Sequence, residues 1–305
     1  MYYTRNQRKK AKKIFLWFVS FVLGTGGLFS CSDYLDIVPD NTIVLEDYFS
    51  NKQKAYQPLA KVYWYLLGYY HFQTSPYMFG DEWLEGWAWR ENSAGIQPIQ
   101  VMTGQLNEQN PPMNRWGHNY QAIRAANTFM ENIGMVPDMT AKEKAEWTAQ
   151  VKFLKAFFYF ELLQYYGPFV IIDKNIPLDA KSENMYLRRS KLEDCFDYII
   201  RLINEAIPDL NERVADNDLG QVDRMTALAI KARVMLFRAS PFYNGNKQMY
   251  SDFFDYDNRT FFPMDEKTEK WNEALDAVNE AIAFCERQGK GLYHFEGTPY
   301  PFDMD

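Results

Sequence analysis

From residue 47 onward, apolar residues recur every three or four positions, the spacing that places them on one face of an α-helix. Six segments show it: 47–67, 114–133, 140–166, 190–207, 223–238 and 271–286. Thr140 and Glu143 have the spacing of a capping box, and Ser190 and Glu193 repeat it at the start of the fourth segment. FVIID, after the third segment, is the one stretch that favours a short strand. The pattern predicts a mostly α protein.

The predicted helices occur in pairs, and the sixth resembles the first helix of a tetratricopeptide repeat. This resemblance is carried by Trp271, Ala274, Leu275, Ala281 and Ile282. The small alanines allow close helix approach, and aromatic residues fill the gaps beside them. A single pair would leave an apolar face in water, so we expect the pairs to stack into a tetratricopeptide-like helical repeat scaffold. Long irregular loops, 68–112 and 241–268, interrupt the pairs, and such loops are uncommon without a function.

The first 30 residues have a different character. Six lysines and arginines precede the first acidic residue, and the apolar run IFLWFVSFVLGTGGLF follows them. That run is short for a membrane span and is typical of a signal peptide. LFSC, residues 28–31, resembles a bacterial lipobox, in which the leader is cut before the cysteine and the thiol is lipidated. We expect 1–30 to be a lipoprotein signal peptide, with Cys31 lipidated and 31–45 a tether; an ordinary secreted leader is the alternative.

Removal of the leader makes the chain strongly acidic. It leaves 27 Lys and Arg against 40 Asp and Glu, a formal charge of −13 (27 − 40). Nucleic-acid binding needs clustered basic residues, so this composition argues against a nucleic-acid partner. It also argues against adhesion to anionic membrane lipids through a basic patch. Membrane attachment would therefore depend on the covalent lipid at Cys31. Cys195 and Cys285 show no CxxC spacing and are expected to be core thiols, although a disulfide between them stays open.

Several blocks carry a resemblance to a known family. The run GQVDRMTALAIKARVMLFRASPFYNG resembles the signature helix of the SusD/RagB family of Bacteroidetes outer-membrane lipoproteins. Three further blocks agree in order, at 114–133, 150–173 and 188–210, and CSDYLDIVPDN resembles the start of a mature member. The chain departs from the family where Gly167 meets Pro168 directly, and members usually continue well beyond residue 305. Residues 46–305 are thus expected to form a SusD-like α-helical domain that is C-terminally incomplete.

The resemblance implies a function as well as a fold. Family members are noncatalytic, surface-exposed glycan-binding lipoproteins that cap a SusC-like TonB-dependent transporter and help to load oligosaccharides into it. Their implied partners are therefore an oligosaccharide or polysaccharide, the transporter, and the outer membrane through the lipid anchor. The resemblance implies no catalytic residue. The residues themselves predict no cofactor and no metal site, although a structural calcium at the acidic group Asp252, Asp255 and Asp257 stays open. The rival interpretations are a helical-repeat protein–protein interaction lipoprotein without a small ligand and a secreted glycoside hydrolase.

The run DEWLEGWAWR, at 81–90, is the candidate glycan site. Trp83 and Trp87 share a face if it is helical, and Trp87 and Trp89 share one if it is extended. A pyranose stacks its apolar face on such rings, while polar groups at the rim bind its hydroxyls. The candidate ligand-binding residues are Trp83, Trp87, Trp89, Asp81, Glu82, Arg90 and Asn92. Burial of these rings in the core, or as a lid over the helices, is the alternative.

Other candidate chemistry is weaker. Asp81 and Glu85 would point outward from one helix face rather than across a cleft, which disfavours glycoside hydrolysis. The three histidines show no metal-ligand spacing. Tyr243, Tyr250 and Tyr256 lie in a second aromatic loop, 242–262, and either glycan binding or contact with the transporter would explain them.

Overall fold

The structure is a computed structural model that describes residues 45–67, 104, 107, 109, 114–177 and 179–293. Its contacts divide the chain into two units, Met1–Leu45 and Glu46–Asp305, and every described residue except Leu45 belongs to the second. The predicted signal peptide, Cys31 and most of the predicted tether lie outside the described residues. None of the helices in the described part combines the length and apolarity that a membrane span requires.

Six long helices account for most of the described chain, and each coincides with a predicted segment. They are α1 (Lys52–Leu67), α2 (Trp116–Asn132), α3 (Ala141–Tyr166), α4 (Leu192–Ala206), α5 (Arg224–Ala239) and α6 (Glu269–Arg287). Short helices lie at Leu45–Tyr48 and Lys247–Tyr250, and 3-10 turns lie at Ile133–Met135, Ser182–Asn184, Ile207–Asp209 and Asp216–Asp218. The prediction of a mostly α, tetratricopeptide-like fold is confirmed.

The predicted capping box begins α3. The Thr140 hydroxyl accepts a hydrogen bond from the Glu143 N–H, and the Glu143 carboxylate accepts one from the Thr140 N–H. At the other end of α3, Gly167 has a φ of 66°, in the left-handed region that favours glycine. The local sequence therefore sets both ends of this 26-residue helix.

The predicted capping box at Ser190 and Glu193 is wrong. α4 begins at Leu192, and no side chain caps it. The Glu193 carboxylate instead accepts hydrogen bonds from Lys270 Nζ, at 2.6 Å, and from Arg238 Nη2, at 3.0 Å. Because Lys270 is buried, its charge needs a carboxylate partner. The tertiary ion pair therefore replaces the local cap.

Contacts between helix ends indicate that successive helices run in opposite directions. The start of α2 lies beside the ends of α1 and α3, through His118 to Tyr65 O and Trp116 N to the Tyr166 hydroxyl, so the connectors alternate between two ends of the bundle. We name one end of the bundle the long-loop end: the connectors 167–191 and 240–268 lie there, and it is also where α1 ends and α2 begins, on either side of 68–115. The shorter connectors at the opposite end are 133–140 and 207–223. Contacts hold the long-loop end together: Leu192 N donates to Phe261 O at 2.8 Å, and Trp116 N donates to the Tyr166 hydroxyl at 3.0 Å. For 68–115, the described residues show where the connector leaves α1 and enters α2.

The expectation of a strand at Phe169–Asp173 is wrong. This clamped segment is extended, but side chains rather than another strand satisfy its backbone. The Tyr120 hydroxyl donates to Val170 O and accepts from Val170 N, both at 2.9 Å. The Tyr159 hydroxyl does the same for Ile172, at 3.1 and 2.8 Å. A hydroxyl both donates and accepts, so each tyrosine replaces one residue of a partner strand.

Further side chains fix the end of the clamped segment. Lys155 Nζ donates to Asp173 O at 2.8 Å, and the Tyr198 hydroxyl donates to Asp173 Oδ1 at 2.9 Å. The fully buried Phe169 ring stacks on Tyr159 with ring centroids 4.7 Å apart. Helices α2, α3 and α4 each contribute a side chain, so the segment joins the three.

Both described cysteines are free, as the core-thiol interpretation predicts. Cys195 is buried, and its sulfur lies 3.5 Å from Phe169 N at the start of the clamped segment. Cys285 is half-buried on α6.

The buried face of α6 includes the predicted Ala274 and Ala281 but not the larger residues predicted beside them. Small residues and one phenylalanine face α5, and they are Ala274, Ala277, Ala281 and Phe284. Trp271, Leu275 and Ile282, predicted to pack between helices, are substantially exposed. Small side chains let α5 and α6 approach closely, and among the described residues no element covers the outer face of α6.

We expect Tyr159→Phe to lower the free energy of unfolding by about 1–3 kcal/mol, because it leaves the half-buried N–H of Ile172 without its partner and leaves the C=O with only the 3.4 Å hydrogen bond from Asn127 Nδ2. Urea unfolding followed by circular dichroism measures this change. Tyr186→Phe removes the hydroxyl of a highly exposed tyrosine and should change stability by less than about 0.5 kcal/mol. Equal changes in the free energy of unfolding for the two substitutions would show that the Tyr159 hydroxyl does not stabilise the clamped segment.

Candidate functional site

The predicted tryptophan site lies outside the described residues, so its geometry stays a prediction. Its seven residues are Asp81, Glu82, Trp83, Trp87, Trp89, Arg90 and Asn92. The described chain shows how the stretch that contains them is attached. It leaves the C-terminus of α1 after Leu67 and returns before α2 at Asn114, so both attachments are at the long-loop end.

Trp64 is an aromatic residue at this end that the sequence interpretation missed. It lies in the last turn of α1 and is 52% exposed, with Lys61 Nζ 3.9 Å from its ring centroid. The next residue, Tyr65, is buried and packs edge-on against His118 at the start of α2. Trp64 does not belong to the apolar face of α1 in the helical pattern. That position in the sequence predicts that its ring is exposed.

A second aromatic group packs at the start of α2. Trp116 lies perpendicular to Tyr166, with ring centroids 5.3 Å apart, and the Arg189 guanidinium carbon is 5.0 Å from the Trp116 centroid. Arg189 also donates to Tyr166 O at 3.2 Å. These contacts join the beginning of α2, the end of α3 and the connector to α4.

The aromatic loop 242–262 divides into buried and exposed rings. Tyr243 and Tyr250 are buried, and Tyr250 stacks on Phe262 with centroids 3.7 Å apart. Tyr256 is 77% exposed. Of the three tyrosines considered from the sequence, two therefore hold the loop together and one projects into water.

A charged cleft of about 490 Å³ lies beside the clamped segment, between α2, α3 and α4. Its charges pair with one another: Arg201 contacts Glu205 at 2.9 Å and Asp173 at 3.5 Å, and Lys152 contacts Glu205 at 3.1 Å. Lys155 is buried here, and burial lowers its pKa to about 8. Lys155 donates a hydrogen bond to the Asp173 carbonyl. We therefore infer that the charged groups of this cleft hold the clamped segment in place and do not bind a ligand.

Buried polar groups also lie on the contact between α2 and α3 near the long-loop end. Burial raises the pKa of Glu161 to about 7, and the positive charge of Arg115 opposes part of that rise. In the described part of the chain, Glu161 Oε1 and both polar side-chain atoms of Asn119 have no hydrogen-bond partner. Such groups are costly inside a protein.

A family comparison gives these features a context. The family model described as "Starch-binding associating with outer membrane", SusD-like_3, matches residues 33–236. The chain belongs to the SusD-like family. The resemblance read from the sequence is thereby confirmed, and it covers α1 to α4, the clamped segment and most of α5.

Individual SusD-like proteins are similar to this chain over most of its length. SusD-like protein P38 of Formosa agariphila is 24% identical over 234 residues, which cover 75% of this chain and 43% of P38. The solved structure of BT4246 has a TM-score of 0.67 at 25% identity, covering 79% of this chain and 41% of BT4246. A structure described as a laminarin-binding SusD-like protein has a TM-score of 0.53 at 19% identity, covering 70% and 51%, and it shows the fold alone.

The chain spans less than half the length of P38 and of BT4246. The described SusD-like residues therefore correspond to a part of these longer proteins. Within that part, the long-loop end carries exposed aromatic rings at Trp64 and Tyr256, although the opposite end has exposed rings as well, at Tyr56 and Tyr293.

The raised pKa of Glu161 predicts a specific pH dependence. Between the ordinary value of 4.5 and about 7, the folded protein holds a proton that the unfolded chain has released. Its contribution to stability is therefore complete below pH 4.5 and is lost as the pH rises through about 7. Glu161→Gln keeps the shape and stays neutral, so it should be more stable than the unsubstituted protein above pH 7. Urea unfolding across this range measures both proteins, and parallel stability profiles would show that the Glu161 carboxyl is not desolvated.

Proposed function

We propose that this SusD-like protein binds an oligosaccharide or polysaccharide at the cell surface and performs no catalysis on it. The observation that carries the proposal is the match to the starch-binding, outer-membrane-associated family over 33–236. The gathering of the long connectors at one end of the bundle supports it. A rigid helical scaffold that presents irregular loops at one end is a common arrangement for ligand binding.

Binding would depend on stacking and rim hydrogen bonds. The C–H face of a pyranose removes apolar area from water when it lies on an indole ring, and the hydroxyls at its edge then need planar donors and acceptors. In the 81–92 stretch, we assign the stacking to Trp87 and Trp89, assisted by Trp83. Asp81, Glu82, Arg90 and Asn92 are the rim groups of this proposal. Shape and many weak contacts, rather than one strong charge, would select the sugar.

The proposed role continues with delivery of the glycan to a SusC-like TonB-dependent transporter. Lipidation of Cys31 would hold the protein on the outer membrane. Each buried methylene of an acyl chain contributes ~0.8 kcal/mol, so several chains anchor a protein stably. The acidic charge of the processed chain agrees with attachment by lipid rather than by a basic patch.

Protein–protein interaction without a small ligand is the second candidate. The exposed row of Trp271, Leu275 and Ile282 on α6 favours it, because large apolar residues are enriched at protein interfaces. Glycan arrays separate the two candidates, since binding to a glycan is expected only from the first.

The tryptophan assignment predicts a loss of affinity. We expect Trp87→Ala and Trp89→Ala each to weaken oligosaccharide binding by about tenfold or more, because each removes a stacking surface. Isothermal titration with laminarin oligosaccharides and a panel of other neutral glucans measures the change. Tyr293→Ala is the control, since Tyr293 is 86% exposed and follows α6. Undiminished affinity in both folded tryptophan variants would end the assignment.

A further inference from the structure

We propose a glycan subsite on the described part of the long-loop end, formed by Tyr256, Arg188 and Asp257. Its ligand would be one pyranose unit of a neutral oligosaccharide, with the sugar face on the Tyr256 ring. This inference rests on the proposed function, and it adds a subsite that is separate in the chain from the tryptophan run at 81–92.

A rigid turn holds Tyr256 in place. Asp255 Oδ1 accepts hydrogen bonds from the backbone N–H of Asp257, at 3.0 Å, and of Arg259, at 2.9 Å. Asp255 Oδ2 accepts from Arg259 Nε at 3.0 Å. Asn258 takes a φ of 57°, which asparagine tolerates better than most residues. Preorganisation of this kind lowers the entropy cost of binding.

The turn is fixed to the bundle and not only to itself. Arg259 Nη2 donates to Arg189 O at 2.8 Å, across to the connector between α3 and α4. Shortly after the turn, the Phe261 carbonyl accepts a hydrogen bond from Leu192 N at the start of α4. The next residue, Phe262, stacks on Tyr250. The position of Tyr256 therefore follows from the same packing that closes the long-loop end.

The Arg188 guanidinium lies over one face of the Tyr256 ring, which stays 77% exposed, so the sugar would stack on the other face. The Arg188 guanidinium carbon lies 4.7 Å from the Tyr256 ring centroid, and Arg188 forms an ion pair with Asp257. Both charged side chains remain about half exposed. Arginine has five N–H donors and a carboxylate accepts at several positions, so each can also bind a sugar hydroxyl. An aromatic surface next to a donor and an acceptor is what a pyranose ring requires.

The ion pair favours a sugar over a protein as the ligand. A protein interface would have to desolvate Arg188 and Asp257, which costs free energy that their mutual attraction often fails to recover. A sugar covers the ring and replaces individual waters on the charged groups with hydroxyls, leaving them partly hydrated. Contact with the transporter is the other explanation for this loop, and the experiment below distinguishes the two.

The test uses the full chain and isothermal titration with a panel of laminarin, xyloglucan and other neutral glucan oligosaccharides. We expect Tyr256→Ala to raise Kd by about tenfold and Tyr256→Phe, which keeps the ring, to change it by less than about threefold. Asp257→Asn should also weaken binding, because the acceptor and its pairing with Arg188 are altered. Tyr293→Ala, a loss of an equally exposed ring, should leave Kd unchanged.

The outcomes separate the subsite from the proposed function. Binding by the unsubstituted protein with unchanged Kd for folded Tyr256→Ala would overturn the subsite and leave the function standing. No binding to any glycan of the panel would overturn both. If Tyr256→Phe binds as weakly as Tyr256→Ala, the hydroxyl rather than the ring is responsible and stacking is wrong. Normal glycan affinity of Tyr256→Ala, with loss of co-purification with a transporter, would assign the surface to a protein partner.

Discussion

The structure depends on side chains that take the place of a partner strand for Phe169–Asp173. Backbone N–H and C=O groups that are shielded from water need hydrogen-bond partners, and those of the half-buried Val170 and Ile172 have them. Here Tyr120 from α2 and Tyr159 from α3 each satisfy both groups of one residue, and Lys155 holds the Asp173 carbonyl. The helices cannot shift along the segment without leaving several buried groups unpaired. Their alignment is consequently set by directional hydrogen bonds as well as by apolar packing.

That alignment has a consequence for function. Because the clamped segment follows α3 directly and leads to α4, it fixes where the 167–191 connector runs. In the next long connector, Arg259 donates to Arg189 O of this one and the Phe261 carbonyl accepts from Leu192 N at the start of α4, so two irregular stretches share one support. The tryptophan-rich stretch is attached at the same end. A glycan bound at Tyr256 would meet a ring whose turn is held by this support, which limits the conformational entropy lost on binding.

Much of the scaffold was predictable because an amphipathic helix requires a regular spacing of apolar residues that is visible in the local sequence. Apolar spacing located all six long helices, and Thr140 with Glu143 set the start of α3. The errors have tertiary causes. Glu193 was available as a cap but bonds to the buried Lys270 instead, and FVIID has the composition of a strand but is paired with tyrosine hydroxyls. At the candidate site, composition could not separate the buried Tyr250 from the exposed Tyr256, because only packing against Phe262 distinguishes them.

We propose that the long-loop end of this SusD-like protein binds a glycan through exposed aromatic rings. A crystal structure of the full chain in complex with an oligosaccharide from the neutral glucan panel would show where the sugar lies. We expect sugar density with pyranose faces parallel to rings at the long-loop end. Density confined to the charged cleft beside Lys155, or to the opposite end of the bundle, would contradict it.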